Sequence, residues 1–283
     1  MSVMPLIDTH LHIIDQSALS YPWVAGAEAL NRDFSYEEYA VQARRAGIAQ
    51  ALHMEVDVAA HEIETETAYI ASLARRKDSL IAGAISSCRP EDGDFPAFLE
   101  RQIANPLVKG FRRVLHVMPD ALSESPTFRD NIKSLGKTKL TFDLCVLPRQ
   151  IDKAIALVDL APDVTFILDH CGVPDIKGEK FDEWSGKIAE IAKRSNVIAK
   201  ISGVVAYADA DAWQVDTLKP YVHHVIDSFG FDRLVWGSDW PVCTLGGGLA
   251  TWVAATHSLV SGCSNEERGK LFSQNARRIW NLG

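Results

Sequence analysis

The chain has 283 residues, 47% of them hydrophobic and 23% charged, with a formal charge of −8. That acidic balance excludes nucleic acid and anionic membrane surfaces as main partners, though a single Arg or Lys can still dominate one pocket. Five scattered cysteines without a CxxC pair, no window approaching a membrane span and no basic flank before an apolar N-terminal run lead to the expectation of a reduced, cytoplasmic protein.

Short apolar or β-branched runs alternate with helical patterns from end to end. The first strand, PLIDTHLH from Pro5, is interrupted by Asp8, His10 and His12. Strict alternation puts these three on one face, opposite Ile7, Thr9 and Leu11. The helix YEEYAVQARRAG follows, with Ser35 and Glu38 as a capping box and Gly47 at its C-terminal end. IAQALHMEV from Ile48 is the second strand and ends in His53 and Glu55. LIAGAISS from Leu80 and LVKGFRRV from Leu107 are the third and fourth; the latter runs through Lys109 to Arg112 and Arg113. Thr127 with Asp130 marks a helix start, LTFDLCV from Leu140 is the fifth strand, and Pro148 opens the helix RQIDKAIALVDLA. VTFILDHCG from Val164 ends in Asp169 and His170, and VIAKISG from Val197 ends in Lys200 and Ser202. LVWGSDWP from Leu234 carries Ser238 and Asp239, with Gly237 leaving space beside the carboxylate. Ser264 and Glu267 repeat the capping box before EERGKLFSQNARRIW.

Eight strands alternating with helices, apolar enough to be covered on both faces, point to a parallel sheet. At this length a closed (β/α)8 TIM barrel, one domain over residues 1–283, is the expected fold. A doubly wound open sheet is the competitor, but no strand is followed by G-x-G-x-x-G. TLGGGL after the eighth strand lacks the Lys-Ser/Thr of a P-loop and reads as a flexible connection. The working face of such a barrel lies at the C-terminal ends of its strands, where the polar residues above collect. Two imidazoles on one buried face need polar partners, so the His10–His12 pair is the strongest site signal. His53 alone reads as structural, Asp169 as bracing a turn, and Lys109 and Arg113 as solvated as readily as bound. His61, His116, His223, His224 and His257 fall in helical or connecting segments and are assigned no chemistry.

The HxH on strand one, the His ending strand six and the Asp ending strand eight resemble the amidohydrolase superfamily. YPWV and LNRDF, then GFRRV, DHCG, KISG, GSDWP and NARRIW, are similar to its amidohydrolase-2 sugar-lactonase branch, from Asp8 to Trp280. That branch includes L-fuconolactonase-like and 2-pyrone-4,6-dicarboxylate lactonase-like enzymes. Strand five has no histidine, so the binuclear site of other superfamily members is not expected, and Arg112 sets a fixed positive charge beside any metal. The resemblance implies lactone hydrolysis without a required metal. A single Zn²⁺ or Mn²⁺ on His10, His12, His170 and Asp239 is the alternative.

On this reading Asp239 is the general base for direct attack of water, and His10, His12, His170 and Arg112 polarise the carbonyl. No G-x-S-x-G is present, and no serine or cysteine has an evident base. Trp23 and Tyr207, on loops after strands one and seven, together with Glu55 and Arg113, are the expected substrate contacts, with aromatic faces suited to a sugar ring. One confident arginine favours a neutral aldonolactone over a dicarboxylate. A metal-dependent decarboxylase and a non-catalytic sugar-acid-binding barrel are the competing classes. The partner is a small-molecule lactone; the oligomeric state is not readable.

Overall fold

The computed structural model describes residues 5–283, and its eight strands form one parallel sheet in the order β1 to β8. They are β1 (Leu6–Leu11), β2 (Ile48–Met54), β3 (Ile81–Ser87), β4 (Val108–Val114), β5 (Thr141–Cys145), β6 (Phe166–Leu168), β7 (Val197–Ile201) and β8 (Leu234–Trp236). The exit of β8 comes round to β1. Leu11 and Trp240 form a parallel bridge, His12 N–H donates to Trp240 O (2.7 Å), and Asp239 N–H donates to His10 O (2.9 Å). The fold is therefore the expected (β/α)8 barrel, and all eight strand expectations hold.

Around the sheet run α1 (Tyr36–Arg45), α2 (Ile63–Ala74), α3 (Phe95–Ile103), α4 (Pro126–Ser134), α5 (Ile151–Leu160), α6 (Phe181–Ile191), the short α7 (Val204–Tyr207) and α8 (Val215–Phe229). After β8 come α9 (Leu249–Leu259), α10 (Asn265–Gly269) and α11 (Asn275–Trp280), the last two joined by a π-helical turn. Ser35 caps α1 by accepting from Glu38 N–H (3.1 Å), but the Glu38 carboxylate turns to Arg32 and leaves the box half made. At α10 the box is complete, with Ser264 and Glu267 bonded reciprocally. The cap of α4 is Ser125, two residues before the expected Thr127, and Pro126 opens the first turn, where a missing N–H costs nothing. Among the described residues no helix is long and apolar enough to cross a membrane.

The apolar residues fall into two layers. The large one joins outward strand faces to the helices, with Trp184, Trp236, Trp240 and Trp252 fully buried. The small one fills the barrel floor: Ile7, Leu52, Met54, Ile85, Ile167, Ile198 and Val235, closed from below by Ala276, Trp280 and Leu282. Full burial of a side chain of this size contributes about 2–3 kcal/mol, so α11 is foundation rather than appendage. Directly above this floor, toward the C-terminal ends of the strands, lie the buried polar groups His10, Asp143, Asp169 and Lys200.

Candidate active site

Strand β1 does not alternate as simply as its sequence suggests. Ile7 points into the barrel, yet Asp8 turns between strand and helix layer, where it accepts from Tyr39 OH (2.8 Å), Ser238 N–H (2.7 Å) and His10 N–H (3.1 Å). The β1–β2 register shifts between Asp8 and Leu11, and this irregularity swings His10 back to the interior beside His12. Asp8 therefore does not share the histidines' face, as strict alternation required; it braces the β8 exit. Gly237 is likewise reassigned. A Cβ there would lie 2.7 Å from His10 Cβ, so the glycine makes room for the imidazole, not the carboxylate.

Asp239 and His170 both sit in left-handed backbone, at φ 57° and 53°. His170 opens a run of four such residues through Cys171, Gly172 and Val173, of which only the glycine adopts that region freely. Each of the others costs about 1–2 kcal/mol, and bonds such as Trp184 Nε1–H to Cys171 O (2.9 Å) hold the turn. His170 Nδ1 lies 3.0 Å from Ser202 Oγ and 3.7 Å from Asp239 Oδ2. Gly203 permits this approach: a Cβ there would lie 2.7 Å from the His170 ring and 3.1 Å from Asp239. Asp239 Oδ1 is 3.5 Å from His12 Nε2 and 3.7 Å from His10 Nε2, while its buried Oδ2 has no hydrogen-bond partner.

Beneath these groups lies a network of charges. Lys200, wholly buried, reaches Asp143 Oδ2 (2.6 Å), Asp169 Oδ1 (2.8 Å) and His10 Nδ1 (3.2 Å). Asp169 Oδ2 faces Arg112 Nη1 at 3.6 Å, and Arg112 is clamped by Glu55 through Nε–H to Oε1 (2.6 Å) and Nη2–H to the Glu55 carbonyl (2.8 Å). Burial alone would raise Asp169, but Lys200 and His10 hold its carboxyl well below the usual range. Burial and the Asp169 charge push Asp143 the other way, to about 7, against the pull of Lys200. Glu55 is lowered because Arg112 outweighs its burial. Burial, with Lys200 adding for His10, lowers both His10 and His170, so both rings are neutral.

The tautomers follow. Lys200 Nζ lies 3.2 Å from His10 Nδ1, and a proton donated there places the ring's own on Nε2, 3.1 Å from His12 Nε2; His12 donates from Nδ1 to Met54 O (3.0 Å).

A cavity of about 320 Å³ opens above this floor. His12, Arg112, His170, Asp239, Trp23 and Tyr207 line it, so six of the expected site residues meet there, and His10 lies directly beneath. Trp23 Nε1–H donates to Val56 O (2.8 Å), which fixes the indole, and Tyr207 packs edge-on against His170. Glu55 and Arg113 are not on the wall. Glu55 stands behind Arg112, and Arg113 turns away to Glu91 (2.8 Å). Lys109 lies with its stem beside Gly83 and Leu52, below the site. His53 is buried with Nε2 unpartnered and does not reach the cavity. Sequence reasoning missed Asp57, Cys145 and His116, which do line it. His116 comes from the loop after β4 and meets Cys145 only through the fold.

The donors also fit a single metal ion. His10, His170 and Asp239 hold ligand atoms within 4.8 Å of one another. The 3.1 Å between His10 Nε2 and His12 Nε2 approaches the roughly 3.3 Å of two imidazoles on tetrahedral Zn²⁺. Two fixed cations face four carboxylates here, which leaves charge for a divalent ion. Binding through His10 Nε2 requires its proton to move to Nδ1, toward Asp169 Oδ1 at 3.5 Å, in competition with Lys200.

The amidohydrolase family pattern matches residues 7–282. The chain belongs to the amidohydrolase family. It is 26% identical over 282 residues to an L-fucono-1,5-lactonase of Burkholderia ambifaria, covering 98% of this chain and 95% of that protein. A second L-fucono-1,5-lactonase, from Burkholderia multivorans, is 29% identical over 298 residues, covering 98% and 96%. Among solved structures, a Burkholderia multivorans amidohydrolase with bound zinc superposes with a TM-score of 0.88 at 24% identity, over 99% of this chain and all of that one. This amidohydrolase thus shares their barrel along its whole described length.

Proposed function

We propose that this amidohydrolase opens a sugar lactone, an aldonolactone such as L-fuconolactone or a galactonolactone, to the sugar acid by direct attack of water. The observation that carries the reading is Asp239: a buried carboxylate on the cavity wall, its Oδ2 free of any hydrogen bond and opposite a clamped guanidinium. The lactonase relatives supply the substrate class. Ile14, Val56, Val114, Val117 and Val242 line the remaining wall, an apolar surface suited to the methyl end of a deoxy sugar. Arg112 is the only arginine on that wall among the described residues, too few for a dicarboxylate.

Asp239 takes a proton from water as the oxygen attacks the lactone carbonyl. Arg112 Nη1 and the free N–H of His170 receive the developing oxyanion. Such preorganised donors contribute roughly 10²- to 10³-fold each. As the ring C–O bond breaks, Asp239 returns the proton to the departing hydroxyl, and the new acid ionises and releases one proton to solvent. His10 and His12 set the position of Asp239 Oδ1. Glu55 serves as positioning residue for Arg112, a change from the direct substrate contact expected of it. A divalent ion on His10, His12, His170 and Asp239 would polarise the carbonyl and lower the pKa of water. Turnover does not require it on this reading, because Asp239 supplies the base and Arg112 and His170 supply the oxyanion donors.

Proton release across aldono-1,4- and 1,5-lactones, pyrone dicarboxylate and muconolactones tests the substrate class. Asp239→Asn is expected to lower kcat at least about 10²-fold with the fold intact; near-normal turnover refutes the base. Prolonged chelation is expected to leave activity in place, and stoichiometric zinc that tracks activity reverses the metal assignment.

A further inference from the structure

Cys145 is the one cysteine on the wall of the cavity that holds Asp239. Its Sγ lies 3.1 Å from His116 Nδ1, and ligand atoms of Cys145, Asp169 and His170 fall within 4.8 Å of one another. We propose that Cys145, His116 and His170 form a binding site for a thiophilic divalent cation, Zn²⁺ or Cd²⁺, and that filling it stops turnover.

The donor set is one sulfur and two imidazole nitrogens, a combination that suits zinc and its soft congeners. Metal–sulfur and metal–nitrogen bonds of about 2.3 and 2.0 Å at a tetrahedral angle separate the two donors by about 3.5 Å. The 3.1 Å between Cys145 Sγ and His116 Nδ1 is a few tenths of an ångström short of that value, and a ring nitrogen of His170 lies within 4.8 Å of the sulfur. His170 Nδ1 is engaged by Ser202, and ligation through Nε2 moves the ring proton to Nδ1, which then donates to Ser202 Oγ. Asp169 is spoken for by Lys200, although its wholly buried Oδ2 accepts no hydrogen bond and remains as a nearby negative charge.

The ordinary state of the pair is neutral. Burial pushes the Cys145 thiol up to about 12, against the pull of Arg112, and burial brings the His116 imidazole down to about 4. The thiol is therefore no nucleophile toward the lactone. A cation that binds replaces the thiol proton, which leaves to solvent as the sulfur–metal bond forms. It also withdraws His170 from the oxyanion.

The experiment titrates the purified protein with Cd²⁺ and follows the ultraviolet thiolate-to-cadmium charge-transfer band. One equivalent is expected to saturate it. The band is expected to vanish in Cys145→Ala and Cys145→Ser, to weaken in affinity at least about tenfold in His116→Ala, and to persist in Cys263→Ala, which removes the half-buried surface thiol. Circular dichroism checks that each variant is folded. In parallel, Cd²⁺ is expected to lower wild-type turnover more than tenfold and to leave Cys145→Ala at its own cation-free rate. The inhibition rests on the lactonase reading, whereas the absorption band needs no substrate, so the two fail separately. No band, a band retained in the Cys145 variants, or one unaffected by His116→Ala overturns the site. Equal inhibition of Cys145→Ala overturns the link to turnover.

Discussion

Lys200→Met is the sharpest test of how this barrel tolerates charge in its interior. Lys200 has no exposure and sits 2.6 Å from Asp143 and 2.8 Å from Asp169. At an effective dielectric of about 20, each contact is worth about 6 kcal/mol of Coulomb energy. Desolvating three charged groups offsets most of that, so the intact network contributes little net stability. Removing only the cation is different, because it strands two carboxylates. Asp143, already near 7, takes up a proton, while Asp169 keeps only Arg112 at 3.6 Å. The expected loss is about 3–5 kcal/mol. Adding Asp143→Leu removes the stranded partner as well and is expected to recover at least half of it, since replacing both members of a buried pair with apolar groups is close to neutral. Denaturant unfolding of the wild type, the single variant and the double variant reads all three. A single-variant loss below about 1 kcal/mol, or a double variant no more stable than the single, refutes the reasoning.

Glu55→Gln releases Arg112 Nε and is expected to lower kcat about 10²-fold with KM within a few-fold; steady-state kinetics on a cleaved lactone separates this from a loss of folded protein, which leaves the folded fraction's pH profile unchanged. Trp23→Ala removes an aromatic wall that takes no part in bond making, so KM is expected to rise about tenfold, roughly 1.4 kcal/mol, with kcat within about twofold. His116 titrates near 4 in the folded chain against about 6.5 unfolded, so between those values the unfolded chain binds more protons and stability falls on acidification. Relative to His116→Asn, the wild type is expected to lose at most about 1.4 kcal/mol per pH unit from pH 6.5 to 4, less for a ring partly open to solvent, with no divergence above 7; thermal midpoints against pH check this.

The strands were legible because both faces of a parallel sheet are buried, which writes them as continuous apolar runs. His12, Arg112, His170 and Asp239 were legible because each breaks such a run toward its C-terminal end. Geometry within a strand was not. The register shift after Asp8 leaves no mark in DTHLH, and it alone decides which of Asp8 and His10 faces inward. Asp143 and Lys200 did leave a mark: single opposite charges inside two apolar strands, LTFDLCV and VIAKISG, are each untenable unless they meet. His116 left none, for its partner Cys145 is 29 residues away and only the barrel joins them.

The ionic floor draws on β2, β4, β5, β6 and β7 or their immediate ends, whereas Trp23, Tyr207 and Val242 stand on the connections that follow β1, β7 and β8. On the proposed mechanism, reactivity and discrimination are carried by separable parts of the chain. Exchanging or randomising the loops re-addresses the enzyme to a different ring without rewiring the apparatus underneath. A library confined to those loops therefore keeps its catalytic background constant from clone to clone.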